Sequence, residues 1–381
     1  MGAETRPDLI VFYGRGGESE PERLVDGAHR AVTRRLFADA AAGDRFRRPV
    51  LVTNDDELAA ALAGRALIVR TPTTIDFGEQ LREVVRALDS TAVVYLGGGS
   101  TPLLGRDDLG DIVAAIEAPG QVVANNYLSS DFAGFRPASA IFQTAPIHTD
   151  NDLAWRLHHD AGLARVPVER TLAGTLDIDT PTDLALLRLA PGVPPDLRAY
   201  LDARAPDLPA LAAVERTMAD PYRTLIVAGR LNTQLWNQVT RDISFLKRLF
   251  VEEQGMRASG RQERGEVRSL LGLLLRDVGP ARFFAHLAEL GDAVVLDTRP
   301  LFAHLVPHLS RADRFASDLL RPDLIADPLA REFTAAARAA PLPVVLGGHT
   351  LMAGGLWLLA QRVREAKTAD GSRQSAVGVD S

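Results

Sequence analysis

Short runs of Val, Ile and Leu alternate with longer amphipathic segments from Leu9 to Leu189. This alternation predicts strand–helix repeats, which assemble a mainly parallel sheet with helices on both faces. The runs are almost purely apolar, as expected when neither face of a sheet meets water. The sequence therefore predicts an α/β domain over residues 8–190, with strands at 9–13, 50–53, 66–70, 92–96 and 121–125 and helices at 21–42, 56–63, 77–88 and 106–116.

The second half of the chain has a different pattern, and a proline-rich stretch separates the two. Five prolines fall within residues 190–209, which is typical of a boundary between domains. Helical periodicity follows over 231–254, 266–278 and 279–290, with only two short strand-like runs at 293–296 and 343–346. We expect a linker at 191–209, a second, mainly α-helical C-terminal domain at 210–365 and a disordered tail at 366–381.

Composition excludes several classes of protein. The 43 basic residues against 49 acidic residues give a net charge of −6, so we expect no nucleic acid and no anionic membrane as a partner. The absence of cysteine excludes disulfides, cysteine-bound metals and cysteine nucleophiles. No run approaches the roughly 18 apolar residues of a membrane span, and the N-terminus has no signal-peptide pattern. A cytoplasmic location is the expectation.

Two glycine-rich segments follow predicted strands. The first contains Gly14, Arg15, Gly16 and Gly17, and it is interpreted either as a phosphate cradle built from backbone N–H groups or as a plain loop. The second, GGGST, offers Gly98, Gly99 and Ser100 for nucleotide binding, with tight-turn geometry as the alternative. It lacks the GK[ST] of a P-loop and the spaced glycines of a dinucleotide site, which makes a Rossmann cofactor site the weakest interpretation.

The segment TLDIDTPTDL (175–184) combines a helix start with two carboxylates. Thr180 suits an N-cap, and Asp183 suits the acid of a capping box. Asp177 and Asp179 are two residues apart at the end of an extended segment, so both carboxylates project to the same side and could share a magnesium ion (Mg2+). The alternative is a solvated strand end beside a capped helix.

A polar cluster follows the fifth predicted strand. Asn125, Asn126, Ser130 and Asp131 have the amide, hydroxyl and carboxylate groups that line a sugar or acceptor pocket. A hydrated surface loop explains them equally simply.

The phrase DIDTPTDL, after an extended segment and opening a helix, resembles the closing motif of small nucleotidyltransferases with the GT-A-like fold, the molybdenum-cofactor guanylyltransferase and phospholactate guanylyltransferase group. The resemblance covers residues 8–190. It implies a nucleotide-diphospho-sugar transferase-like sheet that binds a nucleoside triphosphate or sugar nucleotide. It further implies Mg2+-assisted transfer of a nucleoside monophosphate to a small phosphorylated or sugar-like acceptor, with Asp177, Asp179 and Arg15 as catalytic residues.

The chain departs from that family at two positions. No lysine precedes Lys247, although the family has one after its glycine-rich loop. Ser100 stands where the family has a metal-binding aspartate. These departures favour a second hypothesis, a degenerate relative that binds a nucleotide or sugar nucleotide without turnover. A glycosyltransferase on the same sheet is the third and least favoured hypothesis. It requires a DxD motif after a central strand, and the DID at 177–179 comes too late in the fold for that role.

The C-terminal half carries a weaker candidate site. Asp297, Arg299, His304 and His349 follow the two strand-like runs, and they could form a small site or bind a phosphate. Turns with Gly, Asp and Thr are common on structural grounds alone. The simpler expectation is a helical surface that contacts a partner or forms a homo-oligomer.

Overall fold

The computed structural model describes residues 6–231, 233–241, 243–257 and 259–377. They form two compact units, and the chain passes between the units more than once. Unit 1 comprises the residues up to Glu18, Val25–Ile178 and Gly192–Tyr200; unit 2 comprises Ser19–Leu24, Asp179–Pro191 and the residues from Leu201 onward.

Unit 1 is built on a seven-stranded sheet. Its order is β3-β2-β1-β4-β6-β5-β7, and β6 runs antiparallel to both of its neighbours. Every other pair in this sheet is parallel. The strands are β1 (Asp8–Tyr13), β2 (Pro49–Thr53), β3 (Leu67–Arg70), β4 (Val93–Gly97), β5 (Gln121–Ala124), β6 (Phe132–Arg136) and β7 (Ala164–Arg165).

Both faces of this sheet are covered, as the apolar runs predict. Ile10 and Tyr95 belong to one buried cluster, while Leu9, Val11 and Val94 belong to another. The alternation follows from the two-residue period of a strand, which sends neighbouring side chains to opposite faces. The helices of the unit are α1 (Glu20–Gly43), whose first residues belong to unit 2, α2 (Asp56–Leu62), α3 (Phe77–Ala87), α4 (Arg106–Ala115) and α5 (Leu153–His159).

The predicted α/β architecture is confirmed. The first five strands and first four helices begin and end within one residue of the predicted bounds. Strand β6 was not predicted. It lies in the polar and aromatic stretch 125–147, and Gly134 interrupts its apolar pattern. A glycine is needed at this position because a β-carbon there would come within 2.9 Å of the Val123 side chain.

The order of the strands creates a switch point in the sheet of unit 1. From β1 the chain builds β2 and β3 on one side and then returns to place β4 on the other side of β1. The loops that follow β1 and β4 therefore leave the carboxyl ends of two neighbouring strands at this point. Switch points of this kind are where open α/β sheets bind their ligands.

Unit 2 contains a four-stranded parallel sheet of order β11-β10-β8-β9 among its helices. The strands are β8 (Thr224–Gly229), β9 (Leu246–Val251), β10 (Ala293–Asp297) and β11 (Val344–Gly347). The remaining helices are α6 (Pro181–Leu189), α7 (Pro195–Arg204), which spans both units, α8 (Ala210–Ala219), α9 (Thr233–Thr240), α10 (Leu270–Val278), α11 (Pro280–Leu290), α12 (Thr298–Leu305), α13 (Arg311–Asp318), α14 (Pro328–Arg338) and α15 (Leu356–Val377).

Three expectations for the C-terminal half need correction. The helix predicted over 231–254 is wrong, because it ends with α9 and the chain then forms β9, whose Leu, Phe and Val residues suit a strand. The predicted linker at 191–209 contains helix α7. The tail predicted from residue 366 continues α15 to Val377, since a helix that has already nucleated extends through residues such as Ala, Arg and Gln at little cost. Residues 378–381 lie outside the described part of the chain.

Among the helices that the structure describes, none has the length and apolar character needed to cross a membrane.

Candidate functional site

The switch point of unit 1 brings the two glycine-rich loops together. Phe12 of β1 lies opposite Gly97 of β4, and the Gly98 N–H donates to the Phe12 carbonyl oxygen at 2.6 Å. The first loop begins at Gly14 and the second at Gly98, so both leave neighbouring strands at the same level. Two segments 84 residues apart in sequence thus lie side by side.

Side chains of unit 1 accept hydrogen bonds from backbone N–H groups of the first loop. The Arg15 N–H donates to Asn54 Oδ1 at 2.8 Å, and the Gly16 N–H donates to Asp26 Oδ1 at 3.1 Å. The Asp26 carboxylate also accepts the Tyr13 hydroxyl at 2.6 Å. The Asp26 carboxylate therefore already accepts from the Gly16 N–H, one of the donors that a phosphate oxygen would use.

Arg15 and Gly14 remain on the open side of this loop. The Arg15 guanidinium is 54% exposed and pairs with Glu18 at 2.9 Å. A β-carbon built on Gly14 meets nothing within 4 Å. A ligand can therefore approach the backbone here without displacing a packed side chain.

Arg30 forms ion pairs with three carboxylates near the first loop. It pairs with Asp55 at 2.6 Å, Glu57 at 3.0 Å and Asp26 at 3.4 Å. Burial alone would raise the pKa of Asp55, but the Leu58 N–H and the Arg30 guanidinium hold that pKa below its ordinary value. Burial and the hydrogen bond to Asp26 raise the pKa of Tyr13, so its hydroxyl stays protonated and continues to donate.

The glycines of the second loop are required by packing. A β-carbon on Gly98 would lie 2.7 Å from the β-carbon of Tyr13 and 2.8 Å from the Phe12 carbonyl oxygen. Gly99 has φ +95°, and a β-carbon there would overlap the His29 ring. Tight geometry thus accounts for both residues, while their predicted nucleotide contact remains a prediction.

The N–H groups of the second loop also have partners. The Gly97 N–H donates to the Asp131 carbonyl oxygen at 3.1 Å, and the Ser100 N–H donates to the Gly97 carbonyl oxygen at 3.1 Å. The Thr101 N–H donates to the Asp177 carboxylate at 3.1 Å. This last bond places Asp177 beside Ser100.

Negative charge concentrates at the carboxyl end of β4. The buried Tyr95 hydroxyl donates to Asp150 Oδ2 at 3.0 Å. Burial raises the pKa of Tyr95, Asp150 raises it further, and Asp131 and Asp177 add to the effect. Three carboxylates from separate segments thus act on one hydroxyl. Asp150 was not predicted as a site residue, and the only signal for it is its place at the start of the acidic DND run.

The predicted acceptor residues hold one another in place. The Asn125 side-chain amide donates to Asp131 at 2.6 Å, and its oxygen accepts the Asp131 N–H at 3.0 Å. The buried Ser130 hydroxyl donates to the Asp150 carbonyl oxygen at 2.8 Å. Asn126 closes a local turn by accepting the Leu128 N–H at 3.0 Å. These contacts shape the loop, and acceptor binding by its residues stays a prediction.

Asp177 and Asp179 are each bonded within their own unit. In unit 1 Asp177 accepts from Thr101, whereas in unit 2 Asp179 accepts the Thr350 hydroxyl at 3.1 Å. The predicted capping box of α6 is confirmed, because Asp183 accepts the Thr180 N–H at 2.7 Å. Burial, with Asp179 nearby, raises the pKa of Asp183 well above its ordinary value.

No three or more Asp, Glu or His side chains are arranged to hold a metal in the ranges that the structure describes. A magnesium ion would therefore depend on one or two carboxylates, with oxygens from water or phosphate completing its shell.

The carboxyl edge of the sheet in unit 2 is occupied by ion pairs. The Arg230 guanidinium donates two hydrogen bonds to the Asp297 carboxylate, at 2.6 and 3.2 Å. Asp297 also caps α12 by accepting the Arg299 N–H at 3.1 Å. Burial lowers the pKa of His349, and Arg230 lowers it further. His304 contacts the Ser269 backbone instead, 3.2 Å away. Of the four residues predicted for a site in this half of the chain, the structure thus brings together Asp297, Arg299 and His349.

No protein-family model matches this chain, and no curated protein matches it. Among solved structures, it is similar to CMP:2-keto-3-deoxy-manno-octonic acid synthetase complexed with CTP, at 13% identity over 48% of this chain and 97% of that one, with a TM-score of 0.36. It is also similar to a cytidylyltransferase from Leptospira borgpetersenii serovar Hardjo-bovis, at 14% identity over 48% and 85% of the two chains, with a TM-score of 0.36.

A third similar structure is a Desulfovibrio desulfuricans G20 protein described as a nucleotide-diphospho-sugar transferase. Here the identity is 16% over 53% of this chain and 99% of that one, with a TM-score of 0.35. At these identities and TM-scores the similarity supports no statement about function, and membership of the guanylyltransferase group stays a prediction. The proposals below rest on the residues of this chain.

Proposed function

We propose that unit 1 binds a nucleoside triphosphate or sugar nucleotide at its switch point and, with Mg2+, transfers a nucleoside monophosphate to a small phosphorylated or sugar-like acceptor. The observation that carries the proposal is the pairing of two glycine-rich loops at the carboxyl ends of β1 and β4. Parallel sheets bind nucleotides at this position, because backbone N–H groups in the loops at the carboxyl ends of the strands can donate to phosphate oxygens.

The donor set fits a magnesium ion. Magnesium takes carboxylate oxygens together with waters and substrate phosphates, and Asp177 is held beside the second loop by the Thr101 N–H. Asp179, which the sequence also predicts as a ligand, belongs to unit 2 and accepts the Thr350 hydroxyl there. The ion would offset the negative charge of the phosphates.

Arg15 is the cation that this loop can offer to a phosphate. Its side chain is half exposed and its partner Glu18 is itself 75% exposed, so little free energy opposes an exchange of Glu18 for a phosphate. The planar guanidinium suits phosphate oxygens through two parallel hydrogen bonds. We assign Arg15 the task of orienting the triphosphate.

Nucleotide binding without turnover is the second candidate, and two features favour it. The chain has no lysine before Lys247 and has a serine at position 100, so a cation and a carboxylate expected for transfer are missing. Both features weaken stabilisation of the transition state more than they weaken binding.

Calorimetric titration of the protein with ATP, GTP, CTP and UTP, with and without Mg2+, tests the proposal. Pyrophosphate is followed in the same samples, with sugar phosphates supplied as acceptors. We expect Mg2+-dependent binding of one nucleotide, and Asp177→Asn should weaken it by about tenfold or more, since a ligand charge is lost. Asp107→Asn is the matched control, because that carboxylate is fully exposed and lies 4.0 Å from its only ion-pair partner in the described residues.

The outcomes separate the two candidates. Binding with release of pyrophosphate supports transfer, and binding alone supports the second candidate. If no nucleotide binds, both are wrong. If Asp177→Asn leaves the Mg2+ dependence unchanged, the metal assignment fails while nucleotide binding stands.

A further inference from the structure

Helix α13 in unit 2 carries a row of charged side chains on one face. Arg311, Arg314 and Asp318 are spaced by three and four residues, which brings them to the same side of a helix. Asp318 is fully buried, and its two carboxylate oxygens accept hydrogen bonds from the two terminal nitrogens of Arg299, at 2.9 and 2.6 Å. The row therefore ends in a rigid ion pair.

Arg314 lies in the middle of the row, three residues after Arg311 and four before Asp318. Its Nε atom is buried and has no hydrogen-bond partner among the described residues. Within the part of the chain that the structure describes, Arg314 forms no ion pair, and neither do Arg311 and Arg257. The Arg311 guanidinium lies over the Phe315 ring, 4.9 Å from its centre. A buried guanidinium nitrogen without an acceptor is costly, which is a reason to expect an acceptor from outside the chain.

The local charge is strongly positive. Burial, together with the nearby cations Arg299, Arg257 and Arg311, lowers the pKa of Arg314 to about 10. Three guanidinium groups thus act on that of Arg314, and the Asp318 carboxylate acts against them. Asp297 also acts on Arg299, but it is already bound by Arg230.

The place of this cluster in the fold is one where ligands bind. Asp297 ends β10, Arg299 lies in the first turn of α12 directly after it, and α13 packs against β11. Arg299 and the Asp318 end of α13 therefore lie at the carboxyl edge of a parallel sheet, an edge at which open α/β sheets commonly bind ligands.

We propose that Arg314, with Arg311 and Arg299, binds the phosphate group of a small molecule in unit 2, independently of the nucleotide site proposed for unit 1. A phosphate fits better than a carboxylate, because it carries close to two negative charges and three oxygens that can each accept from a guanidinium fork. The source is either free inorganic phosphate or a phosphate monoester.

The test is calorimetric titration of the full chain with inorganic phosphate and, separately, with ribose 5-phosphate. We expect Arg314→Gln to weaken binding of the better probe by about tenfold, equivalent to about 1.4 kcal/mol. Arg314→Lys keeps the charge without the planar fork and should bind with intermediate affinity. Arg276→Gln is the matched control, an arginine of the same unit that is 59% exposed, and it should bind as the wild type does.

Circular dichroism and the unfolding midpoint show whether Arg314→Gln is folded, and we expect that it is, because the change removes an unpaired charge. Preference for ribose 5-phosphate identifies a monoester site, and equal binding identifies a site for phosphate alone. The proposal is overturned if neither probe binds at millimolar concentration, or if the three Arg314 forms bind equally. It is also overturned if Arg15→Gln in unit 1 abolishes the binding while Arg314→Gln does not.

Discussion

The carboxyl edges of the two sheets share their geometry and differ in how they hold charge. In unit 1 the edge is made of backbone donors, closely packed glycines and a half-exposed Arg15. In unit 2 the edge holds the buried ion pairs of Asp297 and Asp318, whose side chains are fully inaccessible. The first edge can exchange an internal partner for a ligand at small cost, whereas the charges of the second stabilise the fold as long as each pair is intact.

The helix caps show the same contrast. Asp55 caps α2 in unit 1 and has a lowered pKa because Leu58 and Arg30 donate to it against the effect of burial. Asp183 caps α6 in unit 2 and has a raised pKa because it is buried beside another carboxylate, Asp179. Two carboxylates with the same local role therefore respond to pH in opposite directions.

Loss of Asp297 is expected to produce the largest effect. Asp297→Ala removes the cap of α12 and leaves Arg230, only 15% exposed, without its partner. Breaking a buried pair in this way costs about 3–5 kcal/mol. Urea unfolding followed by circular dichroism measures the loss. Asp277→Ala, at an exposed carboxylate of the same unit, should change stability little, and a similar loss in both variants would remove the distinction between buried and exposed pairs.

Removal of Asp55 should have an intermediate effect that depends on pH. Asp55→Ala loses an N-cap, worth about 1–2 kcal/mol, whereas Asp55→Asn keeps an oxygen for the Leu58 N–H and loses only the charge. Because the folded pKa is lowered, the charge contributes stability above the ordinary value of 3.8, and that contribution disappears as pH falls through the lowered pKa.

Unfolding curves of wild type and Asp55→Asn at pH values from 7 down to 3 check this sign. The two proteins should differ most near neutrality and converge in acid. A difference that grows as pH falls would contradict the assigned direction. Asp183→Asn provides the opposite case, since a raised pKa contributes stability below 3.8 that is lost as pH rises.

Arg15→Gln should have the smallest effect on stability and a clear effect on binding. The exposed pair with Glu18 contributes less than about 0.5 kcal/mol, so the unfolding midpoint should stay within error. Nucleotide affinity should fall by about tenfold, because a charge-assisted contact to phosphate is lost. Glu18→Gln releases the same arginine and should bind at least as tightly as wild type. Equal affinity in all three proteins would remove Arg15 from the site.

Much of unit 1 could be predicted because its signals are local. Near-continuous apolar runs mark strands of a covered sheet, and acidic N-caps such as Asp55 and Asp76 mark the starts of helices. The capping box at Thr180 and Asp183 was predictable for the same reason, since both partners lie within one turn.

What the sequence did not predict depends on distant partners. Strand β6 exists because two neighbouring strands pair with it, although Gly134 obscures its pattern. Strand β9 has an apolar spacing that also suits a helix, and pairing with β8 decides between them. Asp150 becomes a site residue only because the fold brings it to the Tyr95 hydroxyl, 55 residues away in sequence.

The packing of Gly98 and Gly99 has a consequence for mutational scanning of this protein. Side chains at these positions would collide with Tyr13 and His29, so most substitutions will lower the amount of folded protein in a cell. A screen that reads only the proposed nucleotide binding would score both glycines as ligand contacts. Measuring abundance beside binding separates the two causes: variants at Gly98 should lose both in proportion, whereas variants at Arg15 should lose binding at normal abundance.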